Sequence, residues 1–179
     1  PNPNPGAYQG YVFNTRKTIF KDVRVRQAFS LAMDFEWLNR QLFFNAYKRL
    51  PAYFPVDEFT AKGKPDAQEM VYLEPLRGQL PAKIFDEVPL PSSTNAPNTL
   101  RSNLLKARDL LQQAGWTYRD GALRNQSGKA MEVEMLFDNP SLIRVVTPYQ
   151  KNLEKLGIRL NFRVVDYALS KKRLDTFDF

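Results

Sequence analysis

Apolar residues recur along this chain with two periods, and those periods lay out its elements. Val25, Ala28, Phe29 and Ala32 fall at i, i+3, i+4 and i+7, one stripe of an amphipathic helix. Asp22 stands where such a helix needs an N-cap, its carboxylate able to accept the unpaired amide protons of the first turn. Residues 8–16, rich in aromatic and β-branched side chains, read as a strand leading into it. Residues 35–44 predict a further helical stretch with Leu38, Leu42 and Trp37 turned inward. Residues 104–115 predict another helix, with Leu104, Ala107, Leu111 and Ala114 on one face and Gly115 as a left-handed terminating residue.

Farther on, the period shortens to two. Met131, Val133, Met135 and Phe137 alternate with polar positions, and residues 158–164 alternate again. Between them residues 142–155 predict a helix, kinked or restarted at Pro148 and ended by Gly157. Strand, helix and strand with tight junctions form a βαβ unit, so the two strands should be parallel neighbours in one sheet. Their polar faces would then set Glu132 and Glu134 near Arg159 and Arg163. Asp120-Gly121 suits the two positive φ angles of a type I′ turn and predicts a hairpin over residues 116–124, with a further turn at Gly128. Residues 51–97 hold eight of the thirteen prolines and should be mostly irregular. Within them Pro65 and Asp66 open a short helix that stops near Pro75. Residues 175–179 read as a strand just beginning. The fold class is α/β.

Composition narrows the chemistry. With 179 residues, 43% hydrophobic and 13% aromatic, the chain can bury a core as one domain or as a lobe of something larger. Its opening residues, Pro-Asn-Pro-Asn-Pro-Gly, contain neither an initiator Met nor an apolar signal segment, and an excised piece of a longer protein is the favoured reading. Cysteine and histidine are both absent, which removes the commonest general base and the commonest metal ligands. No cofactor and no metal are expected, and an enzyme is not. The net charge of +7 admits a basic nucleic-acid-binding domain as the alternative reading. Against it, the cations are dispersed, and the densest cluster is the short Lys171-Lys172-Arg173.

The remaining constellations have ordinary explanations beside functional ones. Glu132 and Glu134 could be paired catalytic carboxylates, but an exposed strand face matched by arginines accounts for them better. Asp34 and Glu36 flank a helix junction, where capping is the plain reading. Arg24 and Arg26 could clamp a carboxylate, although arginines at a helix start more often pair with neighbouring acids. No glycine-rich phosphate loop occurs, and no serine has a histidine partner. Tyr47, Tyr53, Phe54 and Phe59 could line a cleft from the proline-rich tract, though packing against the domain is the better reading.

Three stretches, in order, carry a resemblance. The first is residues 11–36, with Phe20-Lys21-Asp22-Val23-Arg24-Val25-Arg26-Gln27-Ala28 at its centre. The second is residues 104–116 with the Asp120-Gly121 and Ser127-Gly128 turns. The third runs from Leu153-Glu154-Lys155-Leu156-Gly157-Ile158 to Val165-Asp166 and Phe177-Asp178. Together they resemble the peptide-type extracellular solute-binding proteins of ABC transporters. Asp34-Phe35-Glu36-Trp37, Tyr47-Lys48-Arg49 and Tyr53-Phe54 look most like the Yej branch, associated with oligopeptides and microcin C. The resemblance implies a periplasmic binding protein-like lobe with a mixed sheet, a parallel βαβ unit and flanking helices. Residues 1–179 would form a single incomplete lobe of a two-lobed receptor, with residues 1–7 disordered or a linker. It further implies a periplasmic location with a signal peptide upstream, a monomer, an oligopeptide or peptide-like ligand, ABC permease subunits of the inner membrane as partners, and no nucleic acid. The candidate ligand-binding residues on this reading are Tyr11, Asn14, Arg16, Tyr53 and Phe54.

Overall fold

The computed structural model describes residues 10–52 and 59–179. In chain order the elements are α1 (Thr18–Lys21), α2 (Val23–Leu31), α3 (Phe35–Phe43), α4 (Ala67–Leu73), α5 (Leu100–Gln113), β1 (Thr117–Arg119), β2 (Ala122–Arg124), β3 (Glu132–Phe137), α6 (Leu142–Glu154), β4 (Arg159–Val164) and α7 (Tyr167–Asp175). They divide into two compact units, Tyr11–Tyr47 with Ser92–Phe179, and Pro1–Gly10 with Lys48–Pro91.

The first unit holds the core. Helix α2 buries Val25, Ala28, Phe29 and Ala32, and α5, packed beside it, buries Ala107 and Leu111. Val146, Tyr149 and Leu153 of α6 meet Met131, Ile158 and Leu160 in the same cluster. Phe13, Phe20 and Phe29 form an aromatic trio with ring centroids 5.0, 5.4 and 5.7 Å apart. At the end of α2, where intrahelical partners run out, side chains from elsewhere reach the carbonyl groups, although Ser30 O also accepts from Met33 N at 3.2 Å. Tyr149 Oη donates to Phe29 O (3.0 Å), Asn152 Nδ2 to Ala32 O (3.0 Å) and Ser92 Oγ to Ser30 O (3.1 Å).

The βαβ unit forms as its spacing predicts. β3 and β4 are parallel, in register from Glu132 opposite Arg159 to Phe137 opposite Val164. Glu132 pairs with Arg159 at 3.4 Å and Glu134 with Arg163 at 3.6 Å, both in solvent, where such pairs contribute only tenths of a kcal/mol. β1 and β2 form the antiparallel hairpin, with Asp120 at φ +51° and Gly121 at φ +75° as a type I′ turn demands. The two strand directions are distributed over two small sheets, a hairpin and a parallel pair. Leu123 joins them: its amide donates to Gly157 O and its carbonyl accepts from Met131 N, both at 2.8 Å.

Four expectations need correction, and one element was not expected. The strand expected over residues 8–16 is not formed in its described part: residues 10–14 make no ladder and residues 15–17 turn. Aromatic composition reports how well side chains pack, and here Tyr11 and Phe13 pack by their rings while Asn14 bends the chain, its side-chain oxygen accepting from Arg16 N at 3.1 Å. Trp37 is 40% exposed and Leu42 half-buried, so α3 buries only Leu38 fully. Of the kink or restart expected at Pro148, the restart does not occur, since α6 runs through it as one helix; burial of its face against the core outweighs the one hydrogen bond the ring removes. No strand begins at residue 175. Those residues close α7, with Phe177 at φ +55° and Asp178 N bonded to Arg173 O at 2.8 Å. Finally, α7 itself was unforeseen, although Asp166 caps it by accepting from Leu169 N at 2.9 Å.

Asp22 caps α2 as expected, accepting from Arg24 N at 2.8 Å, while Arg24's guanidinium closes on the same carboxylate at 2.6 Å. These bonds from Arg24 hold the Asp22 carboxyl below the usual carboxylate range. Asp22→Ala should therefore lower stability by about 1 kcal/mol. A urea midpoint that does not move, at unchanged slope, would show that the cap contributes nothing.

In the second unit α4 begins on a full capping box: Asp66 accepts from Gln68 N and Glu69 N, and Glu69 accepts from Asp66 N, all at 2.8 Å. Two 3₁₀ turns, Glu74–Leu76 and Ala82–Phe85, follow, and the rest of the proline-rich tract is irregular where it is described. None of its described residues is fully buried; Val71 and Tyr72 stand in solvent.

Candidate functional site

Of the expected ligand residues, Asn14 and Arg16 come together at Phe177, and Tyr11 packs separately on α6. Tyr11 stacks on Tyr149 with ring centroids 5.4 Å apart, and burial pushes its hydroxyl up to about 12. Tyr149 is more deeply buried, which raises its hydroxyl too. Asn14, 5% exposed, donates its side-chain amide to Phe177 O (2.8 Å) and Phe179 O (3.1 Å). Arg16 lies over the Phe177 ring at 3.3 Å. The carboxamide of Asn14 is thus spent inside the chain, holding residues 14–16 against residues 177–179. Arg16 is exposed, and among the described residues its guanidinium makes no hydrogen bond or ion pair. It is the member of the group with donors left for a carboxylate or a peptide carbonyl. Tyr53 and Phe54 lie outside the described residues. Tyr47, from the same aromatic run, is 55% exposed and edge-on to Phe43 at 4.8 Å.

Near these residues lies a second feature, at the carboxyl ends of the parallel strands, where open α/β sheets commonly receive ligands. A hollow of about 460 Å³ is walled by Glu134, Arg163, Val164, Leu169, Arg173 and Asp178. Its charges are matched internally. Arg173 meets Glu134 at 2.7 Å and Asp178 at 3.2 Å, and Glu134 also faces Arg163. The bond to Glu134 stabilises the charged form of Arg173 further. Sequence reading placed Arg173 in a surface basic cluster; α7 turns it onto the sheet, where its side chain is only 16% exposed.

Glu36 also does more than capping suggests. Asp34 caps α3 through Trp37 N at 3.1 Å. Glu36 instead accepts from Ser93 Oγ (2.8 Å), Thr94 N (3.1 Å) and Thr94 Oγ1 (3.0 Å), tying residues 93–94 to α3. Burial raises its pKa, but the hydrogen bonds outweigh that and leave it below the ordinary carboxylate value. Asn103 holds the same segment through Ser93 O at 2.9 Å. Arg24 and Arg26 are committed locally, Arg24 to Asp22 and Gln113 O, Arg26 to Phe20 O and Lys21 O. Neither is left to clamp a ligand. Among the described residues no three acidic groups gather to hold a metal. The arrangement offers aromatic rings and the available guanidinium of Arg16, which is chemistry for binding.

Known proteins share this sequence and fold. An uncharacterised protein YejA of Escherichia coli K12 is 38% identical over 168 residues, 93% of this chain and 28% of that protein. A probable peptide-binding protein YejA of Agrobacterium fabrum is 32% identical over 175 residues, 97% of this chain and 28% of that protein. The chain therefore spans less than a third of the relatives it matches. Among solved structures, NikA from Brucella suis in complex with Fe(III)-EDTA superposes with a TM-score of 0.61 at 20% identity, over 93% of this chain and 28% of that one. The oligopeptide-binding protein AppA from Bacillus subtilis in complex with a nonapeptide follows, with a TM-score of 0.56 at 24% identity, over 90% of this chain and 27% of that one. These likenesses establish a periplasmic binding protein-like fold. The alternative of a basic nucleic-acid-binding domain finds no support among them. The middle-region model of the bacterial extracellular solute-binding proteins, family 5, matches residues 1–179 throughout, and the chain belongs to that family.

Proposed function

We propose that this chain is part of an extracytoplasmic receptor that captures oligopeptide-like solutes and delivers them to an ABC permease. The observation that carries the reading is the match of residues 1–179 to family 5. The names borne by relatives support the solute class, one a probable peptide-binding protein and one structural neighbour an oligopeptide-binding protein with a nonapeptide. On this reading residues 1–179 are one incomplete lobe of a two-lobed protein. The longer protein carries a signal peptide, works as a monomer in the periplasm and meets permease subunits at the inner membrane. Tyr11 and Arg16 are the proposed solute contacts in the first unit, Asn14 acts by fixing the wall that Arg16 stands on, and Tyr53 and Phe54 remain candidates on the sequence resemblance alone. An extended peptide is held through its backbone and by aromatic pockets for alternate side chains, and this set supplies both kinds of contact.

A receptor that closes around its ligand draws affinity from both walls, and half the contacts do not outweigh the entropy of association. This chain alone should therefore bind oligopeptides no better than roughly millimolar, near −4 kcal/mol, while the full-length protein binds them far more tightly. Calorimetry on both with one peptide library decides it. Micromolar binding by residues 1–179 would place the whole site in this lobe. Failure of the full-length protein to bind any peptide would overturn the peptide reading.

A further inference from the structure

We propose that Glu36 and Asn39 of α3 form a two-point clamp that closes the segment Lys48–Pro91 into a discrete insertion, and that they are positioning residues for the solute contacts this segment contributes. The positioning role rests on the peptide-receptor reading; the clamp itself does not. Lys48–Pro91 belongs to the second unit, while the residues on either side of it, Tyr47 and Ser92, belong to the first. Both flanks are held by one helix. Asn39 takes both backbone groups of Tyr47, donating from Nδ2 to Tyr47 O at 2.6 Å and accepting from Tyr47 N at 3.1 Å. Glu36 takes the returning chain, accepting from Ser93 Oγ at 2.8 Å and Thr94 N at 3.1 Å. Residues three apart on a helix are neighbours, with Cβ atoms about 5–6 Å from one another. The chain therefore leaves and re-enters the first unit at adjoining side chains.

Each end is braced a second time. At the exit Phe44 and Asn45 take left-handed φ angles of 52° and 60°, which turn the chain off α3, and Tyr47 lies edge-on to Phe43. At the return Asn103 donates to Ser93 O at 2.9 Å and Ser92 Oγ to Ser30 O at 3.1 Å. A loop tied down at a convenient place would account for either set of bonds alone. It does not account for both ends of one segment being fixed one helical turn apart. Between those ends the segment has order of its own. Besides the capping box of α4, Val88 N bonds to Gly63 O at 2.8 Å, and Arg77 pairs with Glu74 and covers the Phe85 ring at 3.9 Å. Closely held ends are what let a segment sit in a host as an insertion. Fixing them also removes freedom that a bound solute would otherwise have to freeze.

The test uses the full-length protein, the peptide it binds most tightly in calorimetry, and a variant in which Lys48–Pro91 is replaced by a short Gly-Ser linker. The shortened variant should fold, as circular dichroism melts report, because its new ends are already held together, and it should bind the peptide more weakly. In the parent, E36A/N39A should lose about three- to tenfold in affinity, and Q41A, at an exposed position of the same helix, should lose none. In the shortened variant E36A/N39A should change affinity no further, since the segment it positions is gone. The milder N39A reads the same way, with a smaller loss, where the double variant does not fold. A shortened variant that does not fold overturns the insertion; undiminished affinity in E36A/N39A, or equal losses in both backgrounds, overturns the positioning role. If the parent binds no peptide, the peptide reading falls and hydrogen exchange judges the clamp. The Tyr47 and Thr94 amides should then exchange about tenfold or more faster in E36A/N39A, with α2 and α5 unchanged, and unaltered exchange at those two amides overturns it.

Discussion

Gly157→Ala should lower the stability of this chain by about 2–5 kcal/mol, a large share of the 5–15 kcal/mol typical of a folded domain. Gly157 sits at φ +79°, and a Cβ built there would lie 2.6 Å from Leu123 N and 2.7 Å from the Tyr118 ring. The left-handed backbone alone costs an L-residue about 1–2 kcal/mol. The clash adds to that, because overpacking a set structure costs about 1–3 kcal/mol. Relief by movement is expensive here. The amide that would be struck is the one bonded to Gly157 O, and Leu123 O in turn receives Met131 N, so a shift disturbs the junction of both sheets. Gly115 provides the control. It has φ +86° with nothing within 4 Å of a Cβ, so Gly115→Ala should cost only the backbone part, about 1–2 kcal/mol. Urea denaturation of both variants measures the difference, and equal losses would show that the close approach at Gly157 carries no penalty.

Phe29→Ala should cost about 3–5 kcal/mol, the range for removing a buried phenyl ring from a core. Phe29 is 2% exposed and stands edge-on to both Phe13 and Phe20, where no neighbour is free to fill the void. Its backbone carbonyl also receives the Tyr149 hydroxyl, so collapse around the cavity would strain that bond. The same urea experiment reads the effect. A loss below about 1 kcal/mol would mean that the aromatic trio is loosely packed, contrary to its ring distances.

The elements that periodicity foretold share one property: their causes lie within a turn or a pleat. The apolar stripe of α2 and the Asp22 cap are settled by residues three or four apart, and the Asp120-Gly121 turn by the two residues themselves. The parallel pairing of β3 and β4 follows nearly as directly, since a short helical crossover leaves the second strand little choice of direction. The family resemblance was equally legible, because its motifs sit on these same local elements.

The features that escaped reading depend on partners far along the chain. Residues 10–14 are rich in strand formers, yet a ladder needs a neighbouring edge, and no composition supplies one. Asn14 reads as an ordinary turn residue until folding brings Phe177 within 2.8 Å across a separation of 163 positions. Glu36 looks like a capping acid, but it holds Ser93 and Thr94 across 57 and 58. Arg173 belongs to a basic run in sequence and to Glu134 in space. Pro148 breaks a helix in isolation and is overruled when Val146, Tyr149 and Leu153 are buried around it. Short-range sterics and hydrogen bonding set backbone geometry almost independently of context. The partner of a side chain is chosen only when packing closes the loops between distant segments, and that choice is where the candidate site took its form.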